Sequence, residues 1–163
     1  MPRKQLLRVL PAVVLIACGV AATVWVVQHK ASAAALRNDC GVVEDLGRQW
    51  LAMVGSVNTA LESGPGNPSD LVAVANRESQ MSDKLRAAAD SISTPSVKND
   101  VSKWADGAAL TAQIQRDSVN RPLQQQPSPN EDADSQRSAV MVYQATSDLR
   151  RACPNMPQAP RRS

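Results

Sequence analysis

The stretch Ser93–Ile114, STPSVKNDVSKWADGAALTAQI, contains both the start of a helix and its buried face. Thr94 is a residue type that caps helices. Pro95 suits the first helical position, where the missing backbone N–H would have no partner in any case. The apolar residues that follow recur mostly at three- and four-residue steps, namely Val97, Val101, Trp104, Ala108, Leu110 and Ile114. Such a stripe predicts an amphipathic helix with one buried face.

Three similar stripes occur elsewhere, and breaker segments separate them. The first stripe runs from Leu36 to Leu61 and ends at the segment GPGNP, residues 64–68, after which Ser69 is the predicted N-cap of the second helix. The proline- and glutamine-rich segment 120–129 follows the third stripe. A last helix is predicted to start near Asp134 and to end before Pro154. Together the stripes predict an all-α fold, an up-down-up-down four-helix bundle.

The predicted core is thin, because the stripes are rich in alanine and the chain contains no phenylalanine. Trp50, Trp104 and Tyr143 fall at similar heights along their helices, which predicts one shared aromatic layer. Gly107, one turn beyond Trp104, would give the indole room. Two interpretations of this layer stay open, a packed core layer and a small apolar binding pocket.

The N-terminal segment predicts a membrane anchor. Val9 to Val27 is a run without charge, and as a helix it would be about 28 Å long, close to the thickness of a bilayer. The predicted domains are a cytoplasmic n-region (1–8), a transmembrane signal-anchor (9–30), an extracytoplasmic bundle (31–153) and a Pro/Arg-rich tail (154–163). Two alternatives stay open: a lipoprotein lipidated at Cys18, and cleavage after the A-x-A pattern that ends at Ala33.

The positive charge belongs to the leader. The chain has 18 Lys and Arg against 15 Asp and Glu, and four of the basic residues are the only charges before position 31. The remainder is therefore close to neutral. Nucleic-acid binding needs a basic face that neutralises phosphates, so a nucleic-acid partner is not expected.

Cys40 and Cys153 are predicted to form a disulfide. In an up-down-up-down bundle the first helix begins where the fourth helix ends, and these cysteines occupy those two positions. An oxidising compartment outside the cytoplasm would favour the bond. On the chain-entropy model, closing so long a loop stabilises the fold by about 4–5 kcal/mol.

No motif for catalysis or cofactor binding stands out. The single histidine is His29, so a histidine-based triad or a multi-histidine metal site is excluded from the bundle, and no cofactor is expected. The glycines are scattered and form no phosphate loop. The acidic cluster Glu131–Asp134 lacks the spacing of a calcium loop. The chain is therefore predicted not to be an enzyme.

Charges segregate to the two ends of the predicted bundle. Basic residues at the end near the membrane are candidates for contact with lipid head groups, namely Lys30, Arg37, Arg150, Arg151, Arg161 and Arg162. At the other end, segment 120–129 and the residues after it form a candidate docking site for a partner. Leu123 would be its apolar anchor, with Glu131, Asp132 and Asp134 as a polar rim.

These features favour a non-enzymatic bacterial protein, held in the cell membrane by a single span with its N-terminus in the cytoplasm. Its bundle would serve as an accessory or scaffold subunit of the cell envelope that docks another envelope or membrane protein. The alternative is a ligand-sensing bundle. Such a sensor would need a partner to pass on its signal, because the predicted cytoplasmic segment is too short to hold a signalling domain.

The leader is predicted to be retained, because its apolar run continues for nine residues beyond Cys18. The intact mass of protein extracted from membranes is expected to correspond to a chain with an uncleaved N-terminus. A lipid-modified species that starts at Cys18, or an unmodified one that starts at Ala34, would contradict this prediction.

Overall fold

The structure is a computed structural model that describes residues 3–62, 68–121 and 128–159, and within these ranges it describes side chains from Ser32 onward except at positions 61 and 68. It contains four α-helices, α1 (Arg3–Glu62), α2 (Pro68–Ser91), α3 (Pro95–Val119) and α4 (Pro129–Ala152). No strand occurs in the described ranges. The predicted all-helical class is confirmed.

The chain divides into two compact units, residues 1–37 and residues 38–163. One helix, α1, covers both the predicted membrane span and the first bundle helix, which the sequence analysis treats as separate elements. The physical reason lies in Ala31–Ala35, ASAAA, which holds strong helix formers and no breaker.

The predicted span Val9–Val27 falls among side chains that the structure does not describe. Among those it does describe, no helix is long and apolar enough to cross a membrane.

Within the second unit the helices pack as a bundle in which sequence neighbours run antiparallel. The Ser82 hydroxyl on α2 donates to the Ala105 carbonyl on α3 over 2.9 Å, whereas Ser79, earlier on α2, meets Arg116, later on α3. The same reversal relates α3 to α4, where Lys103 meets Gln144 and Gly107 lies against Ser138. These pairings are those of helices joined by short connections.

The predicted stripes supply most of the buried core. Its members include Val43 and Leu46 of α1, Val74, Met81 and Leu85 of α2, Val97, Val101 and Trp104 of α3, and Leu149 of α4. The largest completely buried side chain is Trp104, and most of the others are valines and alanines. Many of the inward-facing side chains are therefore small, as the composition predicts.

The predicted aromatic layer is only partly formed. The rings of Trp50 and Trp104 are 5.3 Å apart and meet edge to face at 62°, a favourable geometry for aromatic pairs. Tyr143 does not join them, because its side chain is 71% exposed. The face of α4 that turns inward carries Ala145 and Leu149 instead. The prediction was wrong for Tyr143.

Gly107 leaves room for α4 rather than for the Trp104 indole. A Cβ atom at this position would lie 2.8 Å from Cγ2 of Val142 and 3.2 Å from the Ser138 carbonyl oxygen. The absence of a side chain therefore lets α3 and α4 approach closely. The predicted role, space for the indole of Trp104, does not match these neighbours.

Two adjacent residues attach α1 to the rest of the bundle. The carboxylate of Asp39 accepts hydrogen bonds from the backbone N–H groups of Ser93 (3.2 Å) and Thr94 (2.7 Å). Cys40 lies beside Cys153, with their Cα atoms 5.2 Å apart and their sulfurs at disulfide distance, as predicted. Thr94 is the N-cap of α3, also as predicted, but its side chain makes no capping bond. Asp39 instead binds the two backbone N–H groups that immediately precede the helix.

Burial alone would raise the pKa of Asp39. Hydrogen bonds from the Thr94 hydroxyl and from the N–H groups of Thr94 and Ser93 outweigh it and lower the pKa. Because the pKa is lowered, the carboxylate stabilises the fold above its ordinary pKa of 3.8, and this contribution is lost as the pH falls through the lowered value.

Two helix starts differ from the prediction. Helix α4 begins at Pro129, not near Asp134, because Ser128 and Glu131 form a reciprocal capping box and proline is favourable at the first position. Helix α2 begins at Pro68, so Ser69 lies inside the helix and is not its N-cap. Both helices thus begin at a proline that the sequence analysis assigns to a breaker segment.

Two of the described residues after α4, Met156 and Pro157, pack against α1, whereas the sequence assigns 154–163 to a tail. Met156 is only 5% exposed. Pro157 lies so close to α1 that a Cβ atom on Gly47 would be 2.9 Å from its Cδ. Described residues after Cys153 therefore cover part of the inner face of α1.

Replacing Gly107 with alanine is expected to destabilise the bundle by about 1–2 kcal/mol. The crowding cost of an inserted methyl group exceeds the gain in helix propensity, because Val142 is stiff and the Ser138 contact is backbone. Gly55→Ala is the control, since nothing lies within 4 Å of its Cβ position, and it should stabilise by about 0.5–1 kcal/mol. Urea unfolding measures both. Equal effects of the two substitutions would show that α3 and α4 are not in close contact at Gly107.

Candidate functional site

A cavity of about 630 Å³, the central cavity, lies between the four helices. Its lining comprises Trp50, Met53 and Val54 of α1, Glu78 of α2, Thr111, Ile114 and Gln115 of α3, and Ser135, Ser138, Ala139, Val142, Tyr143 and Thr146 of α4. Ser135, Ala139 and Tyr143 are exposed and mark its mouth. Its volume falls within the range of small-molecule sites, about 300–1,000 Å³.

The cavity follows from the side chains at this level of the bundle. α4 contributes Ser138 and Ala139 to the lining, and Tyr143, its one large side chain here, is mostly exposed. α3 contributes Thr111 where a larger residue could reach inward. Helices pack at roughly 8–10 Å between axes, and small side chains do not fill the space between four of them.

Two oxygen atoms in the cavity wall are buried and lack a hydrogen-bond partner, namely Oε2 of Glu78 and Oε1 of Gln115. The two side chains are close enough for Gln115 to influence the pKa of Glu78, and each carries one buried acceptor that is unused. A buried acceptor without a partner costs about 1–3 kcal/mol. The bundle therefore carries a polar pair that packing alone does not explain.

Burial raises the pKa of Glu78 above its ordinary value of 4.5, although the hydrogen bond with Gln115 opposes the shift. Desolvation thus outweighs the one neighbour that favours the charged form. A positive charge placed beside Glu78 would act in the opposite direction and favour the carboxylate.

Four of the five hydroxyl groups in the cavity wall donate to a backbone carbonyl of their own helix over 2.8–3.1 Å, Thr111 to Gly107, Ser135 to Glu131, Ser138 to Ser135 and Thr146 to Val142. The fifth is that of Tyr143, at the mouth. Each of the four hydroxyl oxygens keeps a lone pair that can accept. A molecule in the central cavity thus meets these four hydroxyls as acceptors.

A second, smaller cavity of about 120 Å³ adjoins the tryptophan pair. Trp50, Trp104, Arg150 and Met156 are among the residues that line it. The Nε1 atom of Trp104 is buried and has no hydrogen-bond partner. Arg150 is already occupied, since it donates to the carbonyl and the hydroxyl of Thr146. This space is too small for more than a few atoms.

The predicted docking residues are partly engaged within the chain. Leu123 lies outside the described residues. Glu131 caps α4 and forms an ion pair with Arg121, in which both side chains are mostly buried. Asp134 pairs with Arg137 one turn along the helix, at 3.1 Å, and Asp132 is exposed. Of the three acids, Asp132 is the one with its carboxylate turned fully to solvent.

The predicted lipid-contact residues do not form one described group. The side chains of Lys30, Arg161 and Arg162 lie outside the described part of the chain. Arg37 is exposed, Arg150 bonds to Thr146, and Arg151 pairs with Asp148. In the part of the chain that the structure describes, no three His, Cys, Asp or Glu side chains are placed to hold a metal ion.

The sequence analysis missed the polar pair in the central cavity, although a signal was present. Glu78 lies four residues after Val74 and three before Met81, on the apolar stripe of α2. Gln115 lies three residues after the buried Ala112 on α3. A carboxylate inside an apolar stripe indicates a buried polar site, whereas a carboxylate outside it is solvated.

Replacing Glu78 with glutamine is expected to raise stability at neutral pH, because the neutral amide avoids the cost of burying a charge. Because the pKa of Glu78 is raised in the folded protein, its contribution to the free energy of unfolding of the wild type is largest below pH 4.5. This contribution is lost as the pH rises through the raised pKa. The gain in Glu78→Gln should therefore disappear in acid. Unfolding free energies across this pH range measure it. Asp90→Asn, an exposed change on the same helix, should show no such trend.

No protein-family model, curated protein or solved structure matches the chain. Function must therefore be argued from the site. The feature with chemical content is the central cavity, which combines an apolar wall with buried acceptors that have no partner in the protein. That combination is typical of a site for a small molecule.

Proposed function

We propose that this chain is a non-enzymatic, membrane-anchored protein of the cell envelope whose helical bundle binds a small ligand in the central cavity. The observation that carries the proposal is the pair of unpartnered buried oxygens, on Glu78 and Gln115, in the wall of a cavity large enough for a ligand. A ligand that supplies hydrogen-bond donors would remove the cost of leaving them unpaired.

The tryptophan pair supports a binding role for the same region. Trp50 lines both cavities and contacts Trp104, so a ligand in the central cavity would touch the aromatic core. Met53, Val54 and Ile114 add an apolar surface that could hold the body of a ligand. Apolar walls with a few fixed polar groups are usual in small-molecule sites.

The membrane-anchored part of the proposal rests on the uncharged run Val9–Val27 and the basic residues that precede it. The non-enzymatic part rests on composition, since the single histidine is in the leader and two of the three cysteines are at disulfide distance. A bundle on the outer side of a membrane would meet ligands that do not enter the cytoplasm.

A second candidate function is an accessory or scaffold subunit that docks another envelope protein. Val140 and Tyr143 favour it, because they lie one turn apart on α4 and are 51% and 71% exposed. Large exposed apolar side chains on neighbouring turns are usual in protein–protein contacts. The two functions are compatible, since a ligand bound beside Tyr143 would alter the same surface.

Phenethyl alcohol, a neutral aromatic probe, is expected to bind the full chain in lipid nanodiscs saturably, after subtraction of empty nanodiscs. Ala139→Trp would fill the cavity mouth and abolish binding. Ala133→Trp, an equally exposed change on α4 outside the cavity, would not. Isothermal titration calorimetry measures all three. Unchanged binding in Ala139→Trp would place the site elsewhere.

The scaffold function has its own test, in which proteins that co-purify with the wild-type chain are compared with those that co-purify with a Val140→Ser/Tyr143→Ser variant. Loss of a co-purified protein in the variant would favour the scaffold function.

A further inference from the structure

We infer that the ligand of the central cavity is an organic ammonium ion, a protonated primary or secondary amine attached to an apolar body. This inference rests on the proposed function and specifies its ligand class. It follows from the residues that line the cavity, which are one carboxylate, one amide and several hydroxyls beside aromatic and aliphatic side chains.

The wall offers uncharged donors and one charged acceptor. When its carboxylate is ionised, Glu78 can only accept, and Oε1 of Gln115 is a further acceptor. The hydroxyls of Thr111, Ser135, Ser138 and Thr146 donate to their own helix. The Trp50 indole N–H and the Tyr143 hydroxyl are donors of the wall, and both are neutral. A ligand with several N–H groups and a positive charge would therefore satisfy the oxygens better than an anion would.

The formal charges of the lining residues also favour a cationic ligand. Of the described residues that line the cavity, Glu78 carries the only formal charge, and none is Lys, Arg or His. Arg116, which follows Gln115 in the sequence, is exposed and donates to the Ser79 hydroxyl. A buried carboxylate without a counter-ion is matched best by a cation that brings its own donors.

The wall also limits the shape of the cation. Trp50 provides an aromatic surface, to which a cation is attracted over the ring face. Met53, Val54 and Ile114 provide contact for carbon atoms rather than for a second charge. An amine with an aromatic or aliphatic body therefore fits better than a polyamine with charge at both ends.

Three probes of similar size and different charge test the inference on the full chain in nanodiscs at neutral pH. These are phenethylamine (cationic), phenethyl alcohol (neutral) and hydrocinnamate (anionic), each titrated by calorimetry against wild type, Glu78→Gln and the control Asp90→Asn. Phenethylamine is expected to bind at least about tenfold more tightly than phenethyl alcohol, since hydrogen bonds to a charged group are the stronger ones. Hydrocinnamate is expected to bind most weakly.

Glu78→Gln should remove the advantage of the amine over the alcohol, whereas Asp90→Asn should change the affinity for neither probe. If the alcohol binds as tightly as the amine, or if Glu78→Gln leaves the advantage of the amine intact, the ligand class is wrong while the cavity stays a binding site. If neither amine nor alcohol binds to wild type, the proposed function fails and this inference fails with it.

Discussion

The bundle depends on the attachment of α1 through two consecutive residues. Asp39 accepts from the backbone N–H groups of Ser93 and Thr94, just before α3, and Cys40 lies at bonding distance from Cys153 at the end of α4. The core between the helices is built largely from alanine and valine, so its contribution per residue is modest. Polar and covalent contacts at one level of α1 therefore add to the packing of its apolar face.

The same thin core explains why the central cavity exists. Small residues on α3 and α4 permit a close approach at Gly107, but they leave the space near Glu78 unfilled. Larger apolar residues in place of Glu78 and Gln115 would fill this space and stabilise the bundle, but the polar pair would then be absent. Natural proteins commonly sacrifice stability at binding sites, and an unfilled interior beside a buried carboxylate fits that pattern.

The sequence predicts the helices well because their stripes and breakers are local signals. The Cys40–Cys153 pairing is predictable once the topology is assumed. The contact of Asp39 with Ser93 and Thr94 is not, since it joins residues more than fifty positions apart. Other differences had local signals that were misread: the Ser128–Glu131 capping box, and Glu78 within an apolar stripe. Tyr143 shows the limit of counting heights along helices, because height does not determine which way a side chain faces.

The contact between Pro157 and Gly47 has a consequence for synthesis. The surface of α1 around Gly47 is completed by residues that emerge from the ribosome more than a hundred positions later, and Cys40 likewise waits for Cys153. α2 and α3 can pair early, as their connection is three residues long. α1 can meet α3 at that stage through Asp39 and Trp50, but the surface around Gly47 and the thiol of Cys40 stay uncovered until residues 153–157 are made. A nascent chain of this protein therefore keeps one part of its first helix open after the rest of that helix can already pack.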